Sequence, residues 1–224
     1  MTGKENKLGL VQLLTILLKT PFLVLTTVSF AFLHLYNAIY INDMLSTLFK
    51  KKLSEDQLSN IFVNGVIEVI DKGFEEVASL IDEDPAFVDK PNVLGASDGH
   101  FTMIVIATNI SCLKDSFDPS DLVGLEKLVN EKFAEVFDME LATFEKYLND
   151  YSSFLSRVNH PSKTMLYSMS KGIFYKYKLN QFQDEYFRRL DCPNPLFLKR
   201  MDEVMKNFLW NWDAFFKRYK VHSF

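Results

Sequence analysis

The sequence predicts an all-α protein: an irregular helical bundle preceded by an apolar N-terminal helix that is a candidate single membrane span. Three observations carry this. Apolar residues recur at three- and four-residue spacing over most of the chain after residue 53. Between those periodic stretches lie Pro, Asn, Asp and Ser at positions that start or stop helices. The 224 residues are 48% hydrophobic and include 21 Phe but only eight Gly and seven Pro, which supports a sizeable core and argues against long disordered segments. This length suits one domain with an appendage. The division expected is an apolar segment over 1–52 and a helical domain over 53–224.

The apolar segment is organised around Leu8–Ile41, which holds one charge, Lys19. Thr20-Pro21 divides it, with Thr as N-cap and Pro at the first helical position. Leu8–Leu18 is too short to span a bilayer. Phe22–Ile41 has no Asp, Glu, Lys or Arg, and its length as a helix, about 30 Å, matches a bilayer core. Tyr36 and Tyr40 suit an interfacial position. His34, Asn37 and several hydroxyls oppose the membrane reading and leave a buried central helix of a soluble bundle as the alternative. Lys50, Lys51 and Lys52 follow the span, and this bias leans towards a cytosolic C-terminal domain.

Ser54 with Gln57 forms a capping box that opens a helix running to about Ile81. Pro85, Pro91 and Gly95 then interrupt the chain, so 82–97 is expected as a long, functional or mobile loop. The stretch from His100 to Leu113 contains the β-branched run Ile104-Val105-Ile106, which suits a strand. A lone strand has nothing to pair with, so a buried helix is expected. Asp118-Pro119 starts the next helix, with an apolar face of Leu122, Leu125, Val129, Phe133 and Val136. After Asp138 the face resumes as Leu141, Phe144, Leu148, Tyr151, Leu155 and Val158, the seam of an antiparallel helix pair. Another helix is expected from Pro161, with a phase shift near Lys178 that marks a kink or a division into two helices. Asn194-Pro195 starts the last helix, where Met201, Met205, Phe208, Trp212, Phe215 and Tyr219 step evenly by four and three.

Charge is unevenly spread. Residues 53–170 carry eight basic and 21 acidic side chains, whereas both ends are basic. The basic ends suit an anionic membrane surface. The candidate contacts to a membrane or protein partner are therefore Trp210, Trp212, Phe216, Lys217 and Arg218 at one end, with Lys50, Lys51 and Lys52 at the other. An acidic domain without a recognition motif points away from nucleic acid.

Signals for catalysis are lacking. The chain has no Gly-rich phosphate loop, GxSxG, HExxH or EF-hand loop. Cys112 and Cys192 are far apart and form no CxxC, so neither a disulfide scaffold nor a metal site is expected, and a reducing compartment is the simpler reading. No cofactor is expected. The sequon Asn109-Ile110-Ser111 falls inside an apolar helical pattern and carries little weight. The function expected is a membrane-anchored helical interaction, adaptor or assembly protein without catalysis of its own. The alternative is a soluble all-α carrier holding an apolar ligand such as a lipid in its Phe-rich core.

Overall fold

The computed structural model describes residues 51–221; the candidate span at 22–41 and Lys50 lie outside them. The chain divides between Lys51 and Lys52 into two units, and all but the first of the described residues belong to the second. This domain is mostly helical. A short strand, β1 (Lys51–Leu53), precedes the long helix α1 (Glu55–Asp82). Then come α2 (Gly99–Ser111), α3 (Pro119–Val136), α4 (Leu141–Val158), α5 (Met165–Lys176), α6 (Glu185–Leu190), α7 (Pro195–Met205) and α8 (Trp212–Arg218). A second strand, β2 (Tyr219–Val221), pairs with β1.

Helix α2 is the centre of the bundle, contacted by α1, α4 and α5. Phe101, Ile104, Val105, Ile106, Ala107 and Ile110 are all buried. A helix covered on all sides needs no polar stripe. That is why its sequence lacks a clean helical period and admits a strand-like β-branched run. The sequence-based expectation of a buried helix there agrees with the structure.

Capping explains most of the helix starts. Ser54 Oγ accepts from Gln57 N while Gln57 Oε1 accepts from Ser54 N, a complete capping box. Asp118 is the N-cap of α3 with Pro119 at the first position. Asn194 caps α7 by accepting from Leu196 N. In α5 the expectation needs correction: the helix begins after Thr164, whose hydroxyl accepts from Tyr167 N, and not at Pro161. On α3, Leu125, Val129 and Phe133 are buried as expected, but Val136 is exposed because Ala134 takes the core position near the helix end. The phase shift near Lys178 has a backbone cause: Lys178 is left-handed, with φ 54°, and separates α5 from a 3-10 turn at Leu179–Phe182.

The 82–97 connection is tied down at several points. Asp82 accepts from Val93 N at 2.6 Å and from Leu94 N at 3.3 Å. Arg200 of α7 donates two hydrogen bonds to Asp84, from Nε at 2.7 Å and Nη2 at 2.5 Å, a bidentate geometry that fixes orientation as well as attraction. Val88 N donates to Phe182 O. These bonds span long sequence separations, so the segment's length does not make it loose.

The largest departure from the sequence-based expectation is at the C-terminus. The even apolar steps from Met201 to Phe215 do mark a buried face. The helix, however, is not continuous. It ends at Met205, passes through a 3-10 turn at Lys206–Phe208 and an extended Leu209, and restarts at Trp212 with Asn211 as N-cap. Buried Asn109 of α2 decides this break. Its Nδ2 donates to Phe208 O at 2.7 Å, and its Oδ1 accepts from Trp210 N at 2.8 Å. The side-chain amide thus supplies the two partners that a continuous helix would have supplied internally.

Close approach to α1 is the other requirement of this segment. A Cβ on Gly65 would lie 2.2 Å from Trp210 Cζ3, and one on Gly73 would lie 2.5 Å from Phe208 Cζ. Gly65→Ala should therefore destabilise the domain by about 1–3 kcal/mol through overpacking, despite an intrinsic helix gain of about 1 kcal/mol. Chemical denaturation checks it. In a Trp210→Leu background the penalty should shrink or reverse, a coupling that a double-mutant cycle isolates.

Candidate functional site

The two-stranded sheet joins the ends of the domain. Leu53 of β1 is buried, whereas Lys51 and Lys52 are exposed. On the other side, Lys217 and Arg218 end α8 and Lys220 lies in β2, all exposed. Cations in the last turn of α8 also suit the negative end of its dipole. Pairing of β1 with β2 therefore gathers five cations from sequence positions about 165 residues apart. None of the five has an ion-pair partner among the described residues. Of the carboxylates next to β1 in the sequence, Asp56 is engaged by Lys132 at 2.6 Å.

Behind the cations stands an aromatic cluster. Trp212 stacks on Phe62 of α1 with ring centroids 5.3 Å apart and on Phe216 at 5.6 Å, and meets Phe117 edge-on at 4.9 Å. Trp212 is buried in the core, so among the expected contact residues its ring is given over to packing. Trp210 and Phe216 are half-buried. Neither indole Nε1 donates a hydrogen bond within the described residues. Beside Trp210 runs a cleft of about 380 Å³, lined by Ile61, Gly65, Val69, Trp210, Phe215 and Arg218 among others.

Sequence reading pointed to Lys51, Lys52, Trp210, Phe216, Lys217 and Arg218 without showing that strand pairing brings the two ends of the domain together. It counted Lys220 in the basic complement of the last helix but not among the candidate contacts, and it missed Gly65 and the strand pairing. Gly65 carried a signal, because a glycine inside a strongly amphipathic helix often marks close packing. Strands of three residues carry almost none.

Among the described residues, His100, His160, Cys112 and Cys192 form no comparable site. His100 Nδ1 lies 2.6 Å from Tyr151 Oη, and its ring meets Tyr177 edge-on at 5.8 Å. Burial, with help from the nearby Lys176 ammonium, holds the imidazole below its ordinary value. Burial likewise pushes the Tyr177 phenol up to about 12 and the Cys112 thiol up to about 11, which suppresses thiolate chemistry at Cys112. Both cysteines are free. Among the described residues no group of three His, Cys, Asp or Glu side chains is arranged to hold a metal ion. No helix among them is long and apolar enough to cross a membrane. The chain matches no known protein family, no curated protein and no solved structure.

Proposed function

We propose that this chain is a membrane-anchored helical interaction protein, an adaptor or assembly subunit, whose domain turns its basic face towards an anionic lipid surface. Phe22–Ile41 is the anchor in this reading. The observation that carries it is the gathering of Lys51, Lys52, Lys217, Arg218 and Lys220 around one small sheet without ion-pair partners among the described residues. In the sequence, Ile41 precedes Lys51 by only ten residues, so an anchored span keeps this face within reach of headgroups. Each lysine near such a surface is worth about 1 kcal/mol.

Two measurements test it. The full chain should stay in the membrane pellet after alkaline carbonate extraction; recovery in the soluble fraction without detergent overturns the anchor. In nanodiscs, adding phosphatidylserine should slow chemical acetylation of Lys52, Lys217 and Lys220 by about fivefold, the equivalent of ~1 kcal/mol, while Lys146 is unaffected. Equal protection of all lysines overturns the orientation.

A second reading, a soluble carrier of an apolar ligand, draws support from the cleft beside Trp210. Its volume of about 380 Å³ falls within the range of roughly 300–1,000 Å³ common for ligand sites, and Arg218 at its edge suits an anionic head. That reading requires the full chain to be recovered without membranes and with an apolar ligand bound.

A further inference from the structure

The corner where α3 meets α4 holds an apolar cleft separate from the basic face. Met103 of α2, Phe137 and Met139 of the connection, and Phe144, Tyr147 and Tyr151 of α4 line a volume of about 230 Å³. Phe144 and Tyr151 are buried and form its floor, whereas Met139 and Tyr147 are 41% and 49% exposed at its rim. Between Phe137 and Met139 the chain turns sharply through Asp138, which is left-handed with φ 49°. The volume is below the roughly 300–1,000 Å³ of sites that enclose a whole small ligand. It suits one or two inserted side chains.

The segment that supplies Phe137, Met139, Phe144 and Tyr147 to the cleft is acidic. Glu135, Asp138, Glu140, Glu145 and Asp150 fall within 135–150, against a single lysine, Lys146. Asp98 adjoins Gly99 on the opposite wall. None of these carboxylates is in an ion pair among the described residues. One further cation stands close: Lys176, whose Nζ lies over the Tyr151 ring at 4.3 Å. The balance repels an anionic bilayer or an anionic-headed lipid and attracts a cationic partner.

We infer that this corner docks a basic amphipathic helix of a protein partner, which inserts one aromatic or aliphatic anchor between Met139 and Tyr147 and sets its lysines against Asp138, Glu140 and Asp150. This is recognition of a helix by a groove, with an apolar anchor in a pocket and a polar rim around it. The inference rests on the interaction half of the proposed function and is independent of the membrane half.

The test uses the full chain in zwitterionic nanodiscs. The probe is a synthetic helical peptide of leucine and lysine with one benzoylphenylalanine as photo-reactive anchor; its control replaces every lysine with glutamate. Crosslinks from the lysine peptide should map to Met103 or Met139. Their yield should fall by about tenfold or more, a change of ~1.4 kcal/mol, in Tyr147→Glu and in the double reversal Asp138→Lys with Glu140→Lys. Both variants alter exposed side chains, and unchanged circular dichroism confirms their folding. Crosslinks that miss the corner, that form equally with the glutamate peptide, or that survive both variants overturn the inference. Lys52→Glu with Arg218→Glu should leave the crosslinks intact, so failure at the corner is distinguishable from failure of the membrane reading.

Discussion

Asn109→Ala is expected to lower the unfolding free energy by about 2–5 kcal/mol. The reason is accounting of buried polar groups. Asn109 is 1% exposed, and its side chain is the partner of Phe208 O and Trp210 N. Truncation leaves that carbonyl and that amide desolvated and unpaired, at a cost of about 1–3 kcal/mol each. Leucine at 109 should be no better, since it restores volume without restoring either bond. Aspartate keeps the acceptor for Trp210 N, loses the donor to Phe208 O and buries a charge, so it too should destabilise. Urea unfolding followed by tryptophan fluorescence is a direct readout, because the protein's two tryptophans, Trp210 and Trp212, flank the clamp. An unchanged midpoint for Asn109→Ala would remove the clamp from the account. The same geometry gives a covalent outcome. Asn109 Nδ2, the atom that a glycan would occupy at this sequon, donates to Val105 O at 3.0 Å and to Phe208 O. The folded protein routed through a secretory pathway should therefore carry no glycan at Asn109, as mass spectrometry of the intact chain would show.

Phe62→Ala should cost about 3–5 kcal/mol, the usual range for truncating a buried phenylalanine. Phe62 is fully buried and joins three parts of the fold. It stacks on Trp212, meets Trp210 edge-on at 5.7 Å, and meets Phe133 of α3 at 6.5 Å. Aromatic pairs of this kind add about 0.5–1.5 kcal/mol beyond area burial. Because Phe62 supports the aromatic layer behind the basic face, its loss should also loosen α8 and the β1–β2 pairing. Hydrogen exchange would detect this as faster exchange of the amides of Phe215–Val221 than of those in α4. Uniform acceleration across the domain would mean instead that Phe62 supports the core as a whole. Phe62→Leu, which keeps most of the apolar volume, should lose less than half as much.

Much of the domain was legible in the residues because its helices are amphipathic and punctuated. The capping box at Ser54, the Asp118-Pro119 and Asn194-Pro195 starts, and the α3–α4 seam are local signals, set within a few residues of where they act. The α2 helix was harder, since burial on all sides blurs the periodic signal; the lack of any strand to pair with and a helix-compatible spacing of Met103, Ile106, Ala107, Ile110 and Leu113 argued for it. The C-terminal break was illegible. A face stepping evenly by four and three is compatible with one helix, and what splits it is a hydrogen-bonding side chain about 100 residues upstream in α2.

The candidate face followed the same division. Its residue types were visible as a basic C-terminal helix and a lysine run. That they meet was not, because a pair of three-residue strands leaves no period and the contact that joins them is non-local. By itself the sequence determined the helical class, most helix starts, the apolar faces and the charge asymmetry, all of which arise from spacing along the chain. Only the tertiary structure decided where the last helix breaks, which aromatic rings are spent on packing, and that five cations converge around β1 and β2. Those outcomes depend on which distant groups satisfy buried backbone atoms and which glycines admit a ring, and neither is encoded in local spacing.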